Sequence, residues 1–395
     1  MSIATQDVGH GPSKDAAHLP WHEAGWKLLR RMRTAGRLPH ALLVTGPAGV
    51  GKRPLVAALS RSLLCARPDE GGLACGQCRE CELFAASTHP DYLEIGPDPE
   101  SKSDEIRVDA IRRLAESDAL TAHRGGRKVI VLDPAQNMNL NAANSLLKTL
   151  EEPSPDTFLC LVCEQPGRLP ATIRSRCQEL RVPVPPEPQA LEWLRGHIDS
   201  ADAETLLRLA YGAPLRALAL KQEDRQQENR LSQRTQAFAG FVAVAGGTRD
   251  PVAEAAAWNE QEPAVVLDWM YTWVSDLLRL ASGHPAPRLI NRDQLGELRN
   301  LARRLEPKAG HRYLMQLIEA GADGYGSVNR LLLYESLLVR WTRIFRPSDP
   351  ALGQRGQVML TMSDTLFRSK TDLRPNSQKV TTDYKLDLLG GRFSG

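Results

Sequence analysis

Apolar and polar positions divide the chain at about residue 185. Before it, short unbroken apolar runs alternate with amphipathic stretches. ALLVT (41–45), RKVIVLD (127–133) and TFLCLVC (157–163) have the pattern of strands buried on both faces, and DYLEIGP adds a shorter strand candidate. Between these runs, WHEAGWKLLRRMRTAGR (21–37) predicts a basic amphipathic helix ended by Pro39. EIRVDAIRRLAESDA (105–119) sets Ile106, Ile111, Leu114 and Ala115 at helical spacing, and AANSLLKTLEEP predicts a helix ended by Pro153. Strands alternating with helices predict a parallel sheet with helical crossovers. VPVPPEP (182–188) marks a linker, because its prolines remove backbone donors and favour extended chain. Beyond it the periodicity is helical. Residues 189–220 form a small helical unit, 221–235 (KQEDRQQENRLSQRT) an exposed connecting helix, and 236–346 a larger helical region containing VVLDWMYTWVSDLLRLA and NRLLLYESLLVRWTRIF. Residues 1–17 and 347–395 lack such patterns, which predicts a disordered N-terminus and a loose C-terminal tail.

The 395 residues are 42% hydrophobic and 25% charged, a globular composition that excludes collagen-like, wholly disordered and disulfide-scaffold chains. No run approaches the roughly 18 apolar residues of a membrane span. The opening MSIATQDVGHGPSKD lacks the apolar centre of a secretory signal, so a soluble, cytoplasmic protein is expected. The net charge of +3 does not by itself indicate nucleic acid.

GPAGVGKR (46–53) nearly matches G-x-x-x-x-G-K-[ST] and lies between a strand and a helix. In such a loop Gly46, Gly49 and Gly51 let backbone N–H groups surround phosphates, and Lys52 reaches the outer ones. The last position, however, is Arg53, and a guanidinium cannot take the place of the hydroxyl that ligates Mg²⁺. VIVLD supplies the acidic Asp133 at a strand end, but Pro134 follows it where a water-orienting glutamate would stand. ATP hydrolysis is therefore not expected, and ATP binding is expected to be weak or absent.

Four of the seven cysteines, Cys65, Cys75, Cys78 and Cys81, fall within 17 residues at spacing C-x9-C-x2-C-x2-C. In a reducing compartment such a cluster favours a metal. Four thiolates complete tetrahedral Zn²⁺ and leave no site for water, which predicts a structural zinc. An iron–sulfur cluster and four unrelated core thiols are the alternatives. Cys160 and Cys163 lie in a predicted buried strand and read as core.

The near-P-loop, the four-cysteine insertion, THPDY (88–92), NSLLKTLEEP (144–153) and RSRC (174–177) occur in one order. Together they resemble the delta-prime subunits of the bacterial DNA polymerase III clamp loader over residues 39–183. The likeness is weaker to 346, where VNRLLLYESLLVRW (328–341) resembles the last collar helix. The resemblance implies an α/β AAA+ domain (a P-loop NTPase-like parallel sheet with helices on both faces) carrying the zinc module, at 18–183. An all-α lid follows at 184–222 and an all-α collar at 223–346.

It also implies a non-hydrolysing stator in a five-subunit ring with tau/gamma and delta subunits, which loads the sliding clamp onto primed DNA. The chain would then be a component of a DNA-directed DNA polymerase holoenzyme without its own ATPase. The S-R-C motif carries the family's arginine finger, here Arg176, with Arg174 as the neighbouring alternative and Cys177 as packing. Cys163 and Glu164 stand at the first sensor position, and Arg216 of GAPLRAL (212–218) at the second. In NSLLKTLEEP, Leu146, Leu147 and Leu150 are core-type positions. HRGGRK (123–128) and Arg107, Arg112 and Arg113 are candidate phosphate contacts.

Two other readings compete. One is an ATP-hydrolysing motor of the tau/gamma kind or a nucleotide kinase, against which Arg53 and Pro134 count. The other is a stand-alone zinc-dependent DNA-binding module, against which the mild charge counts.

Overall fold

The computed structural model describes residues 19–345 apart from 99–100, 102, 117–126, 155, 227–229, 285–288 and 323–328. Both the expected disordered N-terminus and the expected tail lie outside the described residues, as does most of HRGGRK.

The described chain divides into two compact units. The first comprises residues 19–199 with 212–218. It begins with α1 (Glu23–Thr34), β1 (Ala41–Thr45), α2 (Lys52–Leu64), α3 (Arg79–Ala85), β2 (Tyr92–Ile95) and α4 (Val108–Glu116). There follow β3 (Lys128–Leu132), α5 (Leu140–Glu151), β4 (Thr157–Cys163), the short α6 (Ala171–Arg174), β5 (Gln178–Arg181) and α7 (Glu187–Arg195). The strands form one parallel sheet in the order β2-β3-β4-β1-β5.

The central strands are buried at every position and mostly apolar because both faces are covered. Leu42, Val44, Val129, Val131, Phe158, Cys160 and Val162 point to one face, where Trp26 and Leu29 of α1 and Leu55, Val56 and Leu59 of α2 pack. Ala41, Leu43, Ile130, Leu132, Leu159, Leu161 and Cys163 point to the other, against Ile111, Ala142, Leu146, Leu150 and Ile173. Cys160 and Cys163 are thus core, as read from sequence.

Three local expectations need correction. Residues 178–181 form an edge strand that the pattern did not predict. Only Leu180 of its four residues is buried, so no apolar run marks it. Ile106 precedes α4 and forms an isolated bridge with Met138, rather than sharing the helix with Ile111. The linker is shorter than expected: Val182 is buried and its N–H donates to the Thr45 carbonyl at 2.7 Å, and α7 starts at Glu187 with Pro188 in its first turn. A first-turn proline is tolerated because that N–H has no helical partner.

The second unit comprises residues 200–211 with the described residues from 219 to 345. It contains α8 (Ser200–Leu209), most of α9 (Pro214–Gln226), α10 (Arg230–Ala245), α11 (Pro251–Trp258), α12 (Pro263–Ala281), α13 (Leu295–Ala302), α14 (Pro307–Ala322) and α15 (Arg330–Thr342). An aromatic cluster fills its core. Phe241 stacks on Trp341 at 3.8 Å between ring centroids, and Trp341 donates its indole N–H to the Phe241 carbonyl at 2.9 Å. Tyr313 and Tyr334 donate their hydroxyls to the carbonyls of Leu337 and Gln261. Burying the rings of Trp341, Tyr313 and Tyr334 is eased because the polar tip of each finds a backbone acceptor. The expectation of an exposed helix over 221–235 fails at Arg234. This residue is buried and donates to Asp293 at 2.7 Å, to Gln294 at 3.2 Å and to Asn291.

Candidate nucleotide loop, metal centre and surface arginine

Helix α2 carries a candidate site at each end. At its N-terminus the loop 46–51 lies beyond the C-terminal end of β1, where parallel sheets of this kind receive ligands. Gly49 and Gly51 both have positive φ, of 75° and 91°. Their lack of a side chain is used for packing. A Cβ on Gly49 would lie 2.5 Å from Cβ of Arg216, and one on Gly51 would lie 2.4 Å from Leu19 Cδ1. The Leu215 N–H donates to the Gly49 carbonyl at 3.1 Å, and Trp21 Nε1–H donates to the Val50 carbonyl at 2.8 Å.

The charged side chains of the loop are engaged within the chain. Lys52 is buried, and its ammonium donates to the Pro47 carbonyl at 2.7 Å and lies 3.4 Å from Glu164 Oε1. Burial lowers its pKa, and the Glu164 carboxylate offsets part of that effect. Arg53 Nε donates to Asp133 Oδ2 at 2.5 Å. Burial raises the Asp133 pKa, against the lowering effect of Arg53. The position that would carry a metal-binding hydroxyl thus occupies the carboxylate that would share the metal. These residues do not fit a bound Mg²⁺–nucleotide as they stand.

Glu164, at the first sensor position by sequence, pairs instead with Lys52, which motif spacing does not reveal. The parallel register Thr45↔Cys163 sets Glu164 beside Gly46, a signal visible only once the strand order is known. Arg216 is half-buried at the start of α9, next to Gly49 rather than at a distance from the loop.

At the other end of α2, Cys65 caps the helix. Cys75 and Cys78 follow across the left-handed Gly76, and Cys81 lies in the first turn of α3. The four sulfurs all lie within 4.8 Å of one another, with Cys65–Cys75 at 3.6 Å and Cys65–Cys78 at 3.8 Å. A tetrahedron with Zn–S bonds of about 2.3 Å has edges of about 3.8 Å, so the four residues fit a thiolate-bound zinc. At Cys78, burial opposes the thiolate, but N–H groups of Cys81 and Ala66 and the neighbouring thiols outweigh it and bring the pKa down to about 6. At Cys81 burial dominates and pushes it up to about 12.

THPDY fastens this module to the sheet. Buried His89 places Nε2 3.0 Å from Glu80 of α3 while its Nδ1 accepts from the Asp91 N–H, and Tyr92 packs its ring edge on Phe84.

Arg176 lies on the surface after α6. Its Nη2 donates to Glu151 Oε1 at 2.6 Å and its Nη1 to the Thr172 carbonyl at 3.0 Å. Arg174 is exposed, and Cys177 is half-buried against the core, where burial raises its pKa to about 11. Among the candidate phosphate contacts, Arg107 is exposed and Arg112 lies 3.8 Å from Asp109. The Arg113 side chain lies outside the described residues. Lys128 is buried, which removes it as a surface contact.

With the loop, the thiol cluster and the S-R-C arginine on one parallel sheet, the relatives of the chain can be compared. The profile described as "DNA polymerase III, delta subunit" matches residues 21–186, and "DNA polymerase III, delta subunit, C terminal" matches 228–343. DNA polymerase III subunit delta' of Pseudomonas aeruginosa is 38% identical over 341 residues, covering 83% of this chain and 98% of the relative. The chain belongs to the DNA polymerase III delta' family. The Escherichia coli delta' subunit is 36% identical over 83% of this chain and 96% of its own length. Among solved structures, a gamma subunit-related protein of Thermotoga maritima aligns over 80% of this chain and 99% of its own with 16% identity and a TM-score of 0.37. The delta' family membership agrees with the clamp-loader, AAA+ reading of the motifs. No described helix is long and apolar enough to cross a membrane.

Proposed function

We propose that this delta' family member is a non-hydrolysing stator of the clamp loader, supplying Arg176 to the ATP site of a neighbouring tau/gamma-type subunit. The observation that carries this reading is the internal engagement of the loop. Lys52 is held by Pro47 and Glu164, and Arg53 by Asp133, whereas Arg176 stands at the surface. A nucleotide would have to break these pairs without gaining a metal-binding hydroxyl, so it binds weakly or not at all. A fixed guanidinium presented to another subunit's phosphates stabilises the charge of phosphoryl transfer. The zinc is structural. The chain works as an AAA+ domain at 18–183, a lid at 184–222 and a collar at 223–346, in a five-subunit ring with tau/gamma and delta that loads the sliding clamp onto primed DNA.

Arg176→Ala tests this. Reconstituted loader carrying it should assemble normally but turn over ATP at least several-fold more slowly in the presence of clamp and primed DNA. Unchanged turnover would remove the finger.

A further inference from the structure

Arg176 is held in the isolated chain by a carboxylate that none of its assigned roles uses. Glu151 is the last residue of α5, and its position is set from behind. His40 Nε2 donates to the Leu150 carbonyl at 3.1 Å, and Leu150 itself is buried in the sheet core, so the end of the helix is pinned to the entry of β1. On the other side, the Arg176 N–H donates to the Ile173 carbonyl at 3.1 Å, and Ile173 is fully buried. Two anchored backbones thus bring Glu151 Oε1 to 2.6 Å from Arg176 Nη2. Both side chains remain open to water, with 36% of Arg176 and 51% of Glu151 exposed, so the pair contributes little to stability. Its consequence lies in what Arg176 can reach. The carboxylate compensates the charge of the guanidinium and takes up one of the two terminal nitrogens that a fork–fork contact with a phosphoryl group uses, the other donating to the Thr172 carbonyl.

We infer that Glu151 is a resting partner for Arg176, a positioning residue that competes with the neighbouring subunit's phosphate for the same guanidinium. This rests on the finger role given to Arg176 above. A phosphate carrying more than one negative charge displaces the single carboxylate, whereas an empty neighbouring site leaves the arginine parked in its ion pair. The device slows engagement by the factor that an exposed ion pair sets, about two- to five-fold.

The test is ATP turnover by the reconstituted loader carrying Glu151→Gln, which keeps the size and an acceptor oxygen but removes the charge. Maximal turnover should rise about two- to five-fold with the KM for ATP unchanged, because Glu151 contacts no nucleotide. The double variant Glu151→Gln with Arg176→Ala should match Arg176→Ala alone, since Glu151 acts only through the arginine. A Glu151→Gln loader with unchanged or lower turnover overturns the inference, as does a double variant in which the gain survives. If Arg176→Ala alone has no effect, the finger role itself falls, which separates the two failures. Thermal unfolding of each free subunit checks that Glu151→Gln folds as the parent does.

Discussion

The two ends of α2 solve opposite problems. At its N-terminus, two cations and two carboxylates lie at the mouth of a nucleotide loop and satisfy one another. At its C-terminal cap, four sulfurs converge within 4.8 Å of one another, with backbone N–H groups bonded to them and Arg33 in electrostatic reach of Cys65. The first end needs nothing from outside and loses pairs on admitting a ligand. The second end would gain from a divalent cation, which displaces thiol protons and compensates four thiolates that would otherwise repel one another. One helix therefore carries, at one end, a loop whose charges are paired within the chain and, at the other, a thiol cluster whose spacing fits a metal.

The metal end offers the largest effect. Purified chain should carry one Zn²⁺. Cys81→Ser or strong chelation should remove it and lower stability by on the order of 5 kcal/mol, part of the roughly 10–16 kcal/mol that structural zinc supplies in isolated fingers. Metal content paired with thermal unfolding reads this out. A metal-free protein with an unchanged transition would break the contrast between the two ends.

Arg53→Ala should have a smaller effect, about 1 kcal/mol at neutral pH, because Arg53 is half-exposed while Asp133 is buried. Its pH dependence has a definite sign. The folded-state pKa of Asp133 lies above 3.8, so folding holds that proton longer, and ionisation costs stability as pH rises through the folded pKa. Arg53 offsets the cost only once the carboxylate is charged. The gap between parent and variant should be present at neutral pH and close as pH falls towards 3.8 and below. Urea midpoints across that range measure it, and a gap independent of pH would mean that Arg53 acts through packing.

Lys52→Met should change least. Its ammonium is buried against Pro47 and Glu164, but methionine keeps the apolar volume, removes a buried charge and leaves Glu164 able to turn to water, so the net loss should be less than about 1 kcal/mol. ATP turnover by the assembled loader should be unaltered. A marked loss would show that the loop handles nucleotide after all, and the two ends of α2 would then both be ligand sites.

Much of the first unit was legible from pattern. β1 and β4 were bounded to the residue, and β3 nearly so, because a strand covered on both faces is apolar at most of its positions. The cysteine module was legible because its spacing is short. β5 was not, since an edge strand with one buried residue differs little from a loop in sequence. Arg234 was read as exposed because a polar helix in isolation is solvated, yet Asn291, Asp293 and Gln294 converge on it from almost sixty residues away.

By itself, then, the sequence determined the sheet's central strands, the four cysteines of the candidate metal centre and the absence of the loop's hydroxyl, because each depends on local chemistry or short-range periodicity. The tertiary structure decided what the remaining charges do. That Lys52 meets Glu164, Arg53 meets Asp133 and Arg176 meets Glu151 follows from strand register and helix ends. Ion pairs act over a few ångströms between residues 25 to 112 positions apart, and only folding sets those distances.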